Sequence, residues 1–294
     1  MKLFRLLFLL PLAATVSGCQ QAKYEPKPLD PNVHYDNVYL LMGQSNATGV
    51  AQYSFLENSH PEIYQKYTEG NSKVLITYDT ETETNHNFIP TRFGLGNQSV
   101  HFGPEIGMAE TISQYDESAY IIKATYSGSC LQTEYMSTTG QKKKYYKRFV
   151  TFIKKQLTAL EKQGKNPRVR GVFWMQGESD SFVEPQDTYY AAEKHFFESL
   201  RIDLNKWIYD HFNFVDAYIY VGGICWVHPE IINDCKQRLA DENDHYYCIK
   251  TNGEDETAIK LYLKCETGEE DDLAHYDSKS TLLLGQTAGE YLVQ

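Results

Sequence analysis

Along this chain, short runs of apolar residues alternate with longer stretches in which apolar positions recur every three or four residues. The short runs are NVYLLM (37–42), KVLITY (73–78), AYIIKAT (119–125), VRGVFWM (169–175), VDAYIYVGGI (215–224) and HYYCIK (245–250). Nearly unbroken runs of this length, rich in β-branched and aromatic residues, read as strands covered on both faces. Between them, Phe149, Phe152, Ile153, Leu157 and Leu160 fall on one side of a helix predicted over 142–163, which Gly164 and Pro167 stop. A second long helix follows Pro185 and Asp187 and buries Phe196, Phe197, Leu200, Leu204, Trp207 and Ile208. Shorter helices are predicted at 104–115, 229–240 and 278–292. This alternation predicts one domain, a three-layer α/β/α sandwich around a mostly parallel sheet. Two stretches break the rhythm, a polar one at 79–101 and an acidic one at 251–272, and both read as surface insertions.

The first 18 residues have a different layout. Lys2 and Arg5 make a positive start, Leu6 to Val16 an apolar stretch too short to span a bilayer, and Ser17-Gly18 a small-residue exit, which together read as an export signal. Val16-Ser17-Gly18-Cys19 resembles the bacterial lipoprotein signal, in which the chain is cut before a cysteine that receives diacylglycerol; an ordinary secretory signal is the alternative. Residues 20–33, with Pro26, Pro28 and Pro31 and no apolar period, suit an extended tether, so the folded domain should occupy 34–294. The expectation is an exported, membrane-anchored bacterial lipoprotein facing the periplasm or the cell surface.

Composition narrows the partners. The chain of 294 residues carries 39 acidic against 28 basic residues, a formal charge of −11, which argues against nucleic acid as a partner. Beyond Cys19 lie Cys130, Cys225, Cys235, Cys248 and Cys265. Bridges are possible outside the cytoplasm, and the odd number leaves one thiol over; Cys248 and Cys265 can face each other across the TNGED turn. Their spacing does not suit zinc.

Three predicted strands run into polar, glycine-containing turns: Gly43-Gln44-Ser45-Asn46, Tyr126-Ser127-Gly128-Ser129 and Gln176-Gly177-Glu178-Ser179-Asp180. In open α/β sheets functional groups collect in such loops. Ser45 at a tight turn can expose its hydroxyl beside free backbone N–H groups, although a plain turn or cap role fits the same residues. Gln176 at the end of an apolar strand needs acceptors for its amide, which an oxyanion or neighbouring carbonyls can supply. Near the C-terminus, Asp272 stands three residues before His275, a spacing that lets the carboxylate hold Nδ1–H and leave Nε2 as a base. No G-x-S-x-G elbow is present.

Taken together, GQSNATG (43–49), FGPEIG (102–107), the Gly128 turn, WMQGESD (174–180) and DLAHYD (272–277) resemble the SGNH-hydrolase superfamily, within it the sialate O-acetylesterase and carbohydrate esterase family 6 (acetylxylan esterase) branch. The resemblance implies serine-dependent removal of O-acetyl groups from carbohydrate through an acetyl-enzyme, with no metal or organic cofactor. It implies Ser45 as nucleophile, His275 as general base and then acid, and Asp272 as its orienting carboxylate. The oxyanion hole would combine the Ser45 N–H, the Gly128 N–H and the Gln176 amide. Glu178 and Asp180 would brace their loop, and Asn46 would steady the nucleophile turn. Here the turn after AYIIKAT reads Ser127-Gly128-Ser129-Cys130 where relatives tend to have Gly-Gly-Thr or Gly-Gly-Ser, and the two insertions are where substrate walls would form. Two other readings compete: a lipase or thioesterase of the same superfamily, and a tethered glycan-binding protein using rings such as Trp226 and Tyr135 as sugar platforms.

Overall fold

The computed structural model describes residues 26–222 and 226–294. Its strands are β1 Asp36–Gly43, β2 Ala51–Gln52, β3 Asn71–Asp79, β4 Thr84–Thr91, β5 His101–Phe102, β6 Ala119–Thr125, β7 Pro167–Met175, β8 Asn213–Ala217 and β9 Tyr246–Ile249. Its helices are α1 Ser45–Thr48, α2 Tyr53–Ser59, α3 Pro61–Tyr67, α4 Glu105–Tyr115, α5 Lys144–Lys162, α6 Tyr189–Leu204, α7 Pro229–Glu242, α8 Lys264–Thr267 and α9 Ser278–Val293.

Seven strands form one sheet in the order β4-β3-β6-β1-β7-β8-β9, parallel throughout except for β4 at the edge. Helices α4 and α9 cover one face, and α5, α6 and α7 the other, which gives the expected three layers. The apolar runs are buried on both sides: Val38, Leu40, Leu41 and Met42 are fully covered, as are Val172, Phe173 and Trp174. Helices α4 and α9 meet at glycines, because a Cβ on Gly107 would stand 2.1 Å from the Leu282 carbonyl oxygen and one on Gly285 2.1 Å from that of Pro104. That close approach fixes the helix that begins three residues after His275.

The sheet order sets up the chemistry. Strands β6, β1 and β7 lie side by side and parallel, so the three glycine-containing turns leave one edge as neighbours. Beneath that edge Lys123 on β6 is wholly buried, where burial lowers its pKa and the Glu105 carboxylate opposes the shift. Its Nζ donates to the Thr48 carbonyl (2.7 Å), the Leu95 carbonyl (2.8 Å) and Glu105 Oε2 (2.8 Å), and Glu105 Oε1 accepts from the Gly103 N–H (2.9 Å). One ammonium thus pins the end of α1, the 92–100 loop and the start of α4. Removing one partner of a buried pair strands the other charge, so Glu105→Gln is expected to lower unfolding free energy by about 3–5 kcal/mol. Denaturant melts check this; a loss below about 1 kcal/mol would show the pair to be dispensable.

Several expectations change. Residues 84–91, read as loop, form the antiparallel edge strand β4, and 53–67 carry two short helices with no counterpart in the sequence reading. Strand β8 stops at Ala217 rather than running to 224, because the Asn233 side chain on α7 takes both the Ile219 N–H (2.8 Å) and the Ile219 carbonyl (2.9 Å) in place of a neighbouring strand. Within the stretch expected to be a tether, Lys27 touches the domain, donating to the Lys206 carbonyl at 2.6 Å and standing over the Tyr209 ring, while residues 28–33 are exposed. Cys130, Cys235, Cys248 and Cys265 are all unbridged, so the Cys248–Cys265 pairing does not form; Cys248 sits on β9 opposite Asp216, and Cys265 on α8. Tyr135 is fully buried among Tyr126, Phe149, Trp174 and Phe196 and is a core ring, not a sugar platform. The signal segment, Cys19 and Cys225 lie outside the described residues.

Candidate active site

Gly43 makes the serine turn possible. Its φ is +140°, and a Cβ there would stand 2.0 Å from the Met175 carbonyl oxygen, so only glycine lets β1 end this close to β7. The Gln44 N–H then bonds the same Met175 oxygen (2.9 Å), and the chain enters α1 at Ser45. Ala47 and Thr48 donate to the Gln44 carbonyl, whereas the Ser45 N–H stands at the first helical position, where no intrahelical acceptor exists. Ser45 is 9% exposed, and its hydroxyl has no hydrogen-bond partner among the described residues.

Asp272 and His275 meet as the spacing predicts. Asp272 Oδ2 accepts from His275 Nδ1 at 2.8 Å, while Oδ1 accepts the backbone N–H groups of Ala274 (2.9 Å) and His275 (3.2 Å). Burial raises the Asp272 pKa, but these donors and the nearby positive charges outweigh it and hold the carboxyl below its ordinary range. With Nδ1 engaged, Nε2 is the nitrogen left to act as base.

Asn46 joins the two halves. Its Nδ2 donates to Glu178 Oε1 (2.8 Å) and the Ala274 carbonyl (3.5 Å), and its Oδ1 accepts the Tyr276 N–H (3.2 Å). The residue after Ser45 therefore grips the chain on both sides of His275, which places serine and imidazole on one edge. Glu178 Oε2 is buried with no partner among the described residues, and burial raises the pKa of this acid. A neutral Glu178 still accepts from Asn46 through Oε1.

Gln176 takes a different position from the one implied for an oxyanion donor. It is fully buried, and its amide nitrogen faces Asp180 Oδ2 (2.6 Å), Gln44 Oε1 (3.1 Å) and the Ser129 carbonyl (3.1 Å), while Tyr189 donates to its Oε1 (3.0 Å). Three acceptors surround two N–H bonds, so none is left for a substrate oxygen. Gln176 is a strut between the turns after β1, β6 and β7. Asp180 completes it by accepting from the Leu131 N–H (2.6 Å), the Gln132 N–H (3.1 Å) and Cys130 Sγ (3.1 Å). Burial and the Asp180 charge push the Cys130 thiol up to about 12, which leaves it unreactive. Gly128, at φ +65°, is exposed, and a side chain there would meet nothing.

Other contributors have no signal in the sequence. Gln44 Oε1 accepts from Gln176 and from the Ser179 N–H (3.2 Å). Glu269 accepts the Gln52 N–H (2.9 Å) and the Ser278 N–H (2.7 Å), drawing the acidic segment against β2 and the start of α9. Lys264 Nζ also approaches Asp272, 3.8 Å from the Oδ2 that accepts from His275 Nδ1. Only proximity in space reveals these, because their partners are far apart along the chain. Among the described residues no group of three or more His, Cys, Asp or Glu is gathered to hold a metal ion.

A strand-end serine whose N–H has no intrahelical acceptor and an imidazole fixed by a carboxylate, at the carboxyl edge of a parallel sheet, mark a hydrolytic enzyme of the α/β class. A family profile described as carbohydrate esterase, sialic acid-specific acetylesterase, matches residues 35–294. The chain belongs to that family and is a carbohydrate O-acetylesterase. Among solved structures it is similar to NanS, with a TM-score of 0.63 at 14% identity over 88% of this chain and 97% of that one. It is also similar to an Arabidopsis thaliana protein, with a TM-score of 0.62 at 18% identity over 88% and 98%. At these identities the likeness concerns the fold. No curated protein matches the sequence.

Proposed function

We propose that this enzyme releases acetate from O-acetylated sialic acid by an acetyl-enzyme mechanism in which Ser45 attacks, His275 moves the proton and Asp272 orients it. The observation that carries the reading is the Asn46 bridge, which couples the serine turn to both flanks of a histidine already paired with its carboxylate. His275 Nε2 takes the Ser45 proton as the hydroxyl oxygen adds to the acetyl carbonyl. The Ser45 and Gly128 N–H groups stabilise the resulting oxyanion, each donor contributing about 2.7–4 kcal/mol to lowering the barrier. The protonated imidazole then returns its proton to the departing sugar oxygen, and the acetyl group stays on Ser45. Water, deprotonated by the same imidazole, releases acetate and restores the enzyme. The family description favours a sialic acid substrate over acetylated xylan.

Acetate release from O-acetylated sialic acid, set against acetylated xylan at equal ester concentration, tests the substrate. A preference of tenfold or more for the sialate is expected, and an equal or reversed preference would move the enzyme to another glycan. We further propose that the mature chain is anchored to a membrane through diacylglycerol on Cys19 and acts outside the cytoplasm. Cys19→Ala should move the protein from the membrane to the soluble fraction; unchanged membrane retention would sink the anchor.

A further inference from the structure

The acidic segment at 251–272 carries a buried cation that the reaction cycle above does not use. Lys264, on the short helix α8, has a side chain only 2% exposed. Its Nζ lies 2.9 Å from Glu270 Oε2 and 3.8 Å from Asp272 Oδ2, the same carboxylate oxygen that accepts His275 Nδ1. The Lys264 N–H also bonds the His275 carbonyl (3.0 Å), which fixes cation and imidazole on adjacent stretches of backbone. Four groups thus stand in a line of alternating charge when the imidazole is protonated: Glu270, Lys264, Asp272, His275.

We propose that Lys264 is a positioning residue that sets the pH at which His275 becomes an effective base, with Glu270 as the counter-charge that limits its influence. This rests on His275 and Asp272 acting as proposed above. A fixed positive charge beside the Asp272 oxygen that holds His275 disfavours the imidazolium by Coulomb repulsion, and burial of the Lys264 side chain limits screening by water. Glu270 is half exposed and also accepts from Gln52 Nε2 (3.0 Å), so its charge offsets that of Lys264 only in part.

The other ionisable groups facing this line do not supply the same effect. Glu269 accepts from Gln52 and Ser278 and holds the segment in place. His101 on β5 faces both Lys264 and His275; burial and the Lys264 charge keep its imidazole below the ordinary range, so it adds no fixed charge as His275 titrates. Glu178 faces His275 from the turn after β7, and burial favours its neutral form.

The test is a pair of substitutions with opposite expected signs. In Lys264→Met the acid limb of kcat/KM for an activated acetate ester should move up by about one pH unit, and Lys264→Arg should return it towards the parent. In Glu270→Gln the limb should move down by about half a unit, and because Glu270 is half exposed this variant should fold even where Lys264→Met does not. The His275 ring resonance, titrated by NMR in the same proteins, should move with the limb. Ring titrations that stay where the parent's lies, or that shift in the same sense in both variants, overturn the proposal, as does an unmoved ring titration in Glu270→Gln alone. A ring titration that moves in opposite senses while the activity limb stays fixed would support the charge coupling and sink His275 as the base.

Discussion

Ser45→Ala is expected to abolish ester cleavage, lowering kcat by roughly 10⁶-fold, while leaving unfolding free energy within about 0.5 kcal/mol of the parent. The two halves of that expectation have separate causes. The hydroxyl has no hydrogen-bond partner among the described residues, so its removal breaks nothing in the folded state. In the proposed cycle it is the atom that bonds the acetyl carbon, and alanine has no substitute. Steady-state turnover of an activated acetate ester beside a denaturant melt reads both. Turnover within a hundredfold of the parent would show that another group attacks, and a large loss of stability would show that the serine is structural.

Asp272→Asn should lower kcat by about 10⁴-fold with less effect on KM. The geometry says why an isosteric change is so damaging. Oδ1 is fixed by the N–H groups of Ala274 and His275, so the asparagine oxygen will stay there and its NH₂ will face Nδ1. Nδ1 must then accept, the ring proton moves to Nε2, and the base is lost. Turnover above a tenth of the parent would refute this account. The same carboxylate links stability to pH. Its pKa is lowered on folding, so its contribution is complete above the ordinary carboxylate range and disappears as pH falls through the lowered native value. The stability gap between parent and Asp272→Asn should therefore be widest near neutrality and close in acid.

The central strands and long helices were legible because each buries a continuous face. An apolar run covered on both sides has one reading, and the 3.6-residue period of 142–163 has another. Strand β4 was not legible, since TNHNFIPT offers the core only two apolar side chains before its proline, the half-buried Phe88 and Ile89, among polar neighbours. The end of β8 depended on an amide from α7, which no local pattern announces. At the site, the Ser45 turn and the Asp272–His275 pairing could be read because each is local: a turn after a strand, and a carboxylate three residues before an imidazole. Gln176 was correctly singled out as a buried amide in need of acceptors, but sequence does not say which way it turns, and Asp180 four residues later claims it. Lys264 left no trace because its meaning depends on a fold contact with the loop beyond it.

The Ser45 turn is bolted from beneath by a single ammonium that gathers α1, a loop and α4, whereas His275 follows an acidic stretch in which Glu270 is half exposed. Such an arrangement divides evolutionary freedom unequally. One half tolerates little drift without collapse, while the other leaves more room for substitution, so related chains should differ at exposed positions such as Glu270 sooner than at Lys123 and Glu105.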